Sequence, residues 1–349
     1  MLEVRPPEEK LPQPRRLDRW GGHLPGEITP IRVANLLRAA EAGDLASQAL
    51  LFERVHEADA RLIGLMQSRG NAVRGLDWEI KPAEDSAADK KVADFCREAL
   101  NGCRFFRSGL ARLNRAVGYG FAALELYWEV KDGRNVIGQV QEVRQRFFIQ
   151  DYETLEIRLR TETGSFQGEP WPRFRVALHR YDALSAAVGD TGLFRTLVWL
   201  WCFKHYSLKD FAVFCEVYGL PLRLGKYDQG ASTQEKDALK LALQALGSDG
   251  AGIISRNTEI EFKEITQRVG KIPHLEMIGL VNTEMTIAVL GQTLTTDAGN
   301  RGTQALGTVH DQVRLDLVEG DALALEDTVQ AEILQPLVGF NFGWDAPLP

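Results

Sequence analysis

Apolar residues recur every three to four positions along the first third of the chain, the spacing of helices that bury one face. This pattern predicts a long helix over Asp44–Leu76 and a short strand at Trp78–Ile80. The same spacing predicts two further helices, Ser86–Leu100 and Ser108–Gly118. The first third of the chain is therefore predicted to be mostly helical.

Aromatic and β-branched residues become frequent from Gly120 onward, with turn residues between the runs, which is typical of an antiparallel sheet. The predicted strands are Gly120–Val130, Val136–Gln150, Leu155–Leu159 and Phe174–His179. Helices followed by such a sheet predict the α+β class. We expect residues 31–190 to form this α+β domain, after an N-terminal extension at residues 1–30 that is rich in proline and charge.

Large side chains cover nearly every face of the next predicted helix, Leu193–Tyr218. They are Trp199, Trp201, Phe203, Tyr206, Phe211 and Phe214. A helix on the surface of a monomer keeps one face polar. We therefore expect this helix to be buried on several sides, either by its own chain or by neighbouring subunits.

A small unit is predicted at residues 219–265. It contains a strand at Leu220–Tyr227, a helix that begins at the capping box Ser232-Thr-Gln-Glu235, and strands at Gly252–Ser255 and Glu259–Lys263. The predicted order is β-α-β-β.

Another helix is predicted from Pro273 to Leu290, and a long helix from Thr308 to about Leu337, before a C-terminal segment at 338–349. Residues 291–307 between them are rich in Gly, Thr and Asn, which predicts a flexible loop. The long helix has one basic residue, Arg314, between Gly307 and Glu332, against these acidic residues: Asp311, Asp316, Glu319, Asp321, Glu326, Asp327 and Glu332.

Charge and hydropathy narrow the function classes. The net charge is −7 and no basic cluster occurs, which argues against a sequence-specific DNA-binding protein. The most apolar run, Leu197–Phe203, is too short to cross a membrane, so no membrane association is expected. The four cysteines form no C-x-x-C pair and are expected to be reduced and buried; they are Cys96, Cys103, Cys202 and Cys215.

No pattern in the sequence indicates catalysis. Phosphate-binding glycine motifs and metal-binding spacings such as H-E-x-x-H do not occur. Asp297 lies near several threonines, but no general base is close in sequence. We therefore predict no catalytic residue, no metal and no cofactor.

Five segments together resemble one family, the portal proteins of Mu-like bacteriophages. They are TPIRVANLLRAAEAGD, GYGFAALELYWEV, LFRTLVWLWCFKHYSLKDFAVFCEVYGLPLRLGKYD, AGIISRNTEIEF and LGQTLTTDAGNRGTQALGTVHDQV. The resemblance runs from about Arg16 to Gly343. The third segment is the most specific, because the aromatic helix, the E-x-Y-G-x-P turn and the following strand come as one unit.

The resemblance implies the portal fold and a ring of identical subunits, usually twelve. In that fold, residues 31–190 would be the wing, 191–218 and 273–290 the two stem helices, and 219–265 the clip. Residues 291–307 would be the tunnel loop, and 308–337 a long kinked helix that returns to the wing. Relatives continue into a crown region, which this chain is expected to lack.

The resemblance also implies sites and partners. The tunnel loop would contact double-stranded DNA without reading its sequence, through Thr293, Thr295, Thr296, Asn300, Arg301, Thr303 and Gln304. The stem would form the subunit interface through Trp199, Trp201, Phe203, Tyr206 and Phe211. The clip would dock other proteins through Lys226 and Lys236. An acidic channel wall would repel phosphates and let DNA slide.

The implied role is a channel at one capsid vertex for DNA packaging and ejection. Its expected partners are the packaging motor (large terminase), the major capsid protein and head-completion or connector proteins. The expected location is the virion, with the host cytoplasm during assembly.

Two alternatives stay open. A non-ring minor capsid or adaptor protein would have the same composition. A metal-dependent DNA-processing enzyme would need a carboxylate cluster for Mg²⁺, and no spacing in the sequence indicates one.

Overall fold

The computed structural model describes most of the chain. The described residues are 5–7, 28–151, 153–161, 167–181, 185, 187–218, 223–245, 251–255, 272–292 and 304–349. The chain divides into two compact units: the first is Met1–Trp201 with Thr283–Pro349, and the second is Cys202–Asn282.

Six helices open the first unit. They are α1 (Pro30–Glu41), α2 (Leu45–Ala58), α3 (Ala60–Arg74), α4 (Ala87–Gly102), α5 (Phe106–Leu113) and α6 (Ala116–Tyr119). Helix α1 was not among the predicted helices. The helix predicted over Ser86–Leu100 is confirmed as α4, and the Ser86 hydroxyl caps it by accepting the amide of Asp89 at 3.0 Å.

The prediction of one helix over Asp44–Leu76 is wrong, because the helix is interrupted at Asp59. The backbone of Asp59 is extended (φ −116°, ψ 107°), and its buried carboxylate accepts the amide of Leu62 at 3.1 Å. An aspartate side chain that bonds a nearby amide competes with the helix and starts a new one. The apolar spacing continues through the break, so periodicity alone did not detect it.

Two more predictions in this region are wrong. No strand forms at Trp78–Ile80; instead the Trp78 ring packs edge-on against Phe106, with centroids 5.7 Å apart. The helix predicted over Ser108–Gly118 is interrupted at Asn114, between α5 and α6. Trp78 is apolar because its ring packs against α5, and not because it lies in a strand.

The predicted antiparallel sheet is present as two sheets. Its strands are β1 (Phe121–Lys131), β2 (Arg134–Val143), β3 (Phe148–Gln150), β4 (Ile157–Leu159) and β5 (Val176–Arg180). One sheet has the order β2-β1-β5, and β3 pairs with β4 in the other. The strand predicted over Val136–Gln150 is split by a 3₁₀ turn at Gln145–Phe147.

A buried ion pair fixes the central strand. The Arg175 guanidinium donates to one oxygen of Glu125 at 2.9 and 3.1 Å, and the Tyr127 hydroxyl donates to the other at 2.8 Å. Burial and this hydrogen bond raise the pKa of Tyr127 to about 12. Because both charged groups are paired, the sheet can bury them at a tolerable desolvation cost.

The predicted helix at Leu193–Tyr218 is confirmed as α7 (Phe194–Tyr218). In the first unit, the Phe194 ring packs against Phe52 and Tyr119, with centroids 5.5 and 5.0 Å apart. A side chain at Gly118 would come within 2.6 Å of Phe194, so a glycine is needed for this approach.

The second unit contains β6 (Arg223–Tyr227), α8 (Thr233–Ala245), β7 (Ala251–Ser255) and the start of α9 (Pro273–Leu290). Strands β6 and β7 are parallel, with α8 as their crossover. The capping box is confirmed: Glu235 accepts the amide of Ser232 at 2.8 Å, and Ser232 accepts the amide of Glu235 at 3.3 Å. The strand predicted at Glu259–Lys263 lies outside the described residues.

The chain closes with α10 (Gln304–Val329), a π-helical turn at Gln330–Leu334 and α11 (Gln335–Phe342). Pro336 cannot donate a backbone hydrogen bond and its ring crowds the preceding turn, which explains the wider turn before it. The π-helical turn interrupts the regular hydrogen bonding of the predicted long helix at this point. The Asn341 amide then bonds both backbone groups of Asn135 at 2.9 and 2.7 Å, which docks α11 on β2.

Removing the carboxylate at the helix break should destabilise the first unit. We expect Asp59→Ala to lower the free energy of unfolding by about 1–2 kcal/mol, since it removes the cap of α3. Asp59→Asn keeps an oxygen that can accept the amide of Leu62, so it should cost less. Urea denaturation of both variants checks this, and equal losses would contradict the capping role.

Candidate functional site

The helices α9 and α10 flank the segment that was predicted to contact DNA. Residues 293–303 lie outside the described residues, and with them Thr293, Thr295, Thr296, Asn300, Arg301 and Thr303. Gln304 is the first residue of α10. Helix α10 thus begins within the range 291–307 that was predicted to be a loop, before Gly307.

Arg69 on α3 contacts both flanking helices, α9 in its last turn and α10 near its middle. Its guanidinium makes a two-point contact with Asp321 of α10, at 2.7 Å (Nε to Oδ2) and 2.8 Å (Nη2 to Oδ1). Its third nitrogen donates to the carbonyl of Val289, in the last turn of α9, at 2.9 Å. A cation at this position also offsets the partial negative charge of the helix C-terminus.

The anchor is fully enclosed. Arg69 and Asp321 have 5% and 6% of their surface exposed. A second link lies one turn earlier on α9, where Arg61 of α3 donates to the Thr286 hydroxyl at 2.7 Å. Helix α3 therefore fixes the C-terminal end of α9 and the middle of α10.

This geometry corrects one interpretation of the acidic long helix. Asp321 does not face a channel, because it is buried and paired with Arg69. Glu332 is half-buried, and burial raises the pKa of its carboxyl. The exposed carboxylates among the described side chains of α10 are Asp316, Glu319, Glu326 and Asp327.

The predicted interface residues of α7 differ in exposure. Trp201 is buried within the chain at 5% exposure, whereas Phe203 is 46% exposed. Trp199, Tyr206 and Phe211 are half-buried. Of the five predicted residues, Phe203 therefore presents the most free surface, and Trp201 belongs to the core.

The second unit also exposes aliphatic residues that the prediction missed. Leu208 and Val213 of α7 are 44% and 51% exposed, and Leu275 and Leu280 of α9 are 46% and 57% exposed. The Phe211 and Phe214 rings lie 6.4 and 6.3 Å from that of His274, so the two helices contact each other at this end. The sequence could have indicated these residues, since aliphatic as well as aromatic side chains are spread around both helices.

The two predicted docking lysines are not equivalent. Lys226 on β6 is exposed. The Lys236 ammonium lies 4.7 Å from the centre of the Tyr227 ring and is half-buried. That cation–π contact holds Lys236 within the unit, so Lys226 is the more accessible of the two.

The cysteines are all reduced, but one prediction about them is wrong. Cys96, Cys103 and Cys202 are buried, whereas Cys215 on α7 is exposed. Burial raises the pKa of Cys96 to about 12 and that of Cys103 to about 11, so these two thiols are poor nucleophiles.

Within the described ranges, no three His, Cys, Asp or Glu side chains come together as a metal site. No helix in the described part of the chain is both long and apolar enough to span a membrane.

Comparison with known proteins gives consistent matches. The family model described as "Portal protein of Mu bacteriophage" matches residues 49–349. The portal protein of Escherichia phage Mu is 35% identical over 327 residues, which cover 93% of this chain and 63% of that protein. The Mu-like prophage FluMu protein gp29 of Haemophilus influenzae is 34% identical over 327 residues, 92% of this chain and 62% of that protein.

The chain thus spans a little under two thirds of the length of these relatives. Among solved structures, a chain of the virion of the native gene transfer agent particle has a TM-score of 0.47 and 10% identity. That match covers 88% of this chain and 81% of the other.

Breaking the buried anchor from one side should be costly. We expect Arg69→Met to lower the free energy of unfolding by about 3–5 kcal/mol, because Asp321 is left buried without a partner. The double variant Arg69→Met/Asp321→Leu removes both charges and should recover most of that loss.

The matched control is the exposed pair of Lys90 and Asp85. Asp85→Asn should cost less than about 1 kcal/mol, since solvent screens surface ion pairs. Chemical denaturation of all three variants measures the differences. Similar losses for Arg69→Met and Asp85→Asn would contradict the anchoring role.

Proposed function

The chain belongs to the family of portal proteins of Mu bacteriophage, and from this premise we propose that it is one subunit of a ring-shaped channel. The ring lies at one vertex of the capsid, where double-stranded DNA is packaged and later ejected. The protein is a structural component of the virion and performs no catalysis. Its ring contains identical subunits, twelve being the number typical of such assemblies.

The observation that carries this proposal is the unpaired apolar surface of α7 and α9. Five large apolar residues of these two helices, all within the second unit, are each more than 40% exposed: Phe203, Leu208, Val213, Leu275 and Leu280. Exposed apolar surface of this extent marks a contact site. Neighbouring subunits that cover these residues gain about 25 cal/mol for each Å² removed from water.

The segment between α9 and α10 is the proposed DNA contact. Its Thr, Asn and Gln side chains can bond phosphate oxygens, and such contacts carry no base information. Arg301 is its one cation and Asp297 offsets it, so attraction to DNA is weak. The anchor at Arg69 supports the proposal, because it holds the helix on either side of this segment.

The second unit is the proposed docking site for other proteins of the assembly. Its short parallel strands and crossover helix carry the exposed Lys226. The partners we propose are the packaging motor, the major capsid protein and head-completion or connector proteins. We base these partners on the family. The exposed Lys226 favours an acidic surface on whichever partner docks here.

Removing exposed apolar surface from the stem should prevent assembly without unfolding the chain. We expect Phe203→Ser/Leu208→Ser to raise the concentration for half-maximal ring formation at least about tenfold, with an unchanged melting temperature. Mass photometry across a concentration series measures the ring fraction. Trp201→Ala is a poor probe, because Trp201 is buried within the chain and its loss would disturb the fold.

Val130→Ser is the control, since Val130 is 74% exposed on β1, in the other unit. It should assemble like the wild type. Normal rings from the stem double variant would contradict the stem interface, and a wild type that never assembles would favour the non-ring minor capsid or adaptor alternative.

Shortening the segment between α9 and α10 should separate assembly from DNA handling. We expect deletion of Asp297–Thr303 to leave rings intact while impairing packaging or retention of DNA. Arg301→Gln is the milder control, and it should change the slope of log affinity against log salt by at most about one unit. Packaging at the wild-type level by the deletion variant would exclude the DNA contact.

A further inference from the structure

One exposed aromatic residue is held in a backbone conformation that is unfavourable for it. Phe105 has φ +66° and ψ +11°, the left-handed region that bulky residues rarely adopt. Its side chain is 59% exposed. Strain at an exposed large apolar residue contributes nothing to the core, so its placement calls for a role outside the chain.

The surrounding backbone fixes the position of Phe105. The neighbouring Arg104 donates its amide to the carbonyl of Gly138 on β2 and accepts the amide of Val140, at 2.9 and 3.2 Å. The Phe105 carbonyl accepts the amide of Gly109 at 2.7 Å and the hydroxyl of Ser108 at 2.9 Å. Phe105 is therefore presented by a strand on one side and a helix on the other.

Two arginines lie close to Phe105 in sequence. The side chains of Arg104 and Arg107 are both exposed, and neither forms an ion pair with a described residue. The exposed surface of Arg104, Phe105 and Arg107, here called the basic knob, thus combines one apolar centre with two unneutralised positive charges.

Helix α10 carries the opposite pattern. Leu323 is 55% exposed, and Glu319 and Asp327 stand one turn before and one turn after it. Residues four apart share a helix face, so an apolar centre lies between two carboxylates about 12 Å apart along the axis. Neither carboxylate is ion-paired in the described part of the chain. Glu319, Leu323 and Asp327 are called the acidic face.

We propose that the basic knob of one subunit docks on the acidic face of α10 in a second copy of the same chain. Phe105 covers Leu323, while the two arginines approach Glu319 and Asp327. The charges of the two surfaces are opposite in sign, and each surface places them beside an exposed apolar residue, Phe105 on one and Leu323 on the other. The contact joins two different surfaces, which is the type of interface that closes a ring of identical subunits.

This inference rests on the proposed ring and adds a contact in the first unit to the one made by the stem. The test uses the full chain and three charge variants. They are Arg104→Glu/Arg107→Glu, Glu319→Arg/Asp327→Arg, and the combination of all four substitutions. In a homomeric ring the combined variant reverses both sides of every contact, so attraction is restored.

We expect each double variant to need at least about tenfold more protein for half-maximal assembly, because like charges then face each other. The fourfold variant should assemble within about threefold of the wild type. Mass photometry measures assembly, and thermal unfolding shows that each variant is folded.

Phe105→Gly gives a second readout that a purely structural residue would not produce. Glycine adopts φ > 0 without strain, so this variant should melt at a higher temperature than the wild type and yet assemble less readily. Double variants that assemble like the wild type, or a fourfold variant no better than either double variant, would overturn this contact and leave the stem interface standing. A wild type that stays monomeric would overturn both.

Discussion

The buried contact of Arg69 with Asp321 is the constraint on which the rest of the first unit depends. It joins residues 252 positions apart and adds the carbonyl of Val289, so one guanidinium fixes three helices. A buried charge without its partner is unstable, so α3, α9 and α10 must come together or the unit loses several kcal/mol. The C-terminal end of α9, where the chain has returned to the first unit, is thereby held in place.

The position of α10 against α3 determines which of its side chains are exposed. With one face of α10 held against α3, its opposite face carries carboxylates and Leu323 to the outside. In the second unit, α7 and α9 keep large apolar residues exposed although they contact each other. A single chain therefore pairs its buried Arg69 and Asp321 but leaves apolar surface uncovered in its described part, which is the expected state of a subunit before assembly.

Much of this architecture could be predicted from sequence, because local signals and tertiary structure agree. The capping residue Ser86 begins α4, the box at Ser232 begins α8, and the aromatic helix α7 forms within one residue of its prediction. In each case the residues that set the element lie within it or beside it in sequence.

The failures occurred where a distant residue decides the outcome. The sequence places Asp321 among the other acidic residues of its helix, but it is buried against Arg69, which is far away in sequence. Trp201 and Phe203 are both large aromatic residues of the same helix. Trp201 is buried and Phe203 is exposed, because burial depends on which helix face meets the rest of the chain. Asp59 is the exception, because the bond that caps α3 is local; it went undetected because the apolar spacing runs through the break.

The most direct test of this account is the mass of the purified wild-type chain in solution, measured across a range of concentrations. We predict a cooperative change from a 39.0 kDa monomer to one closed species at a fixed multiple of that mass, about twelve. A chain that remains at 39.0 kDa at every concentration, or that grows without a limit, would contradict it.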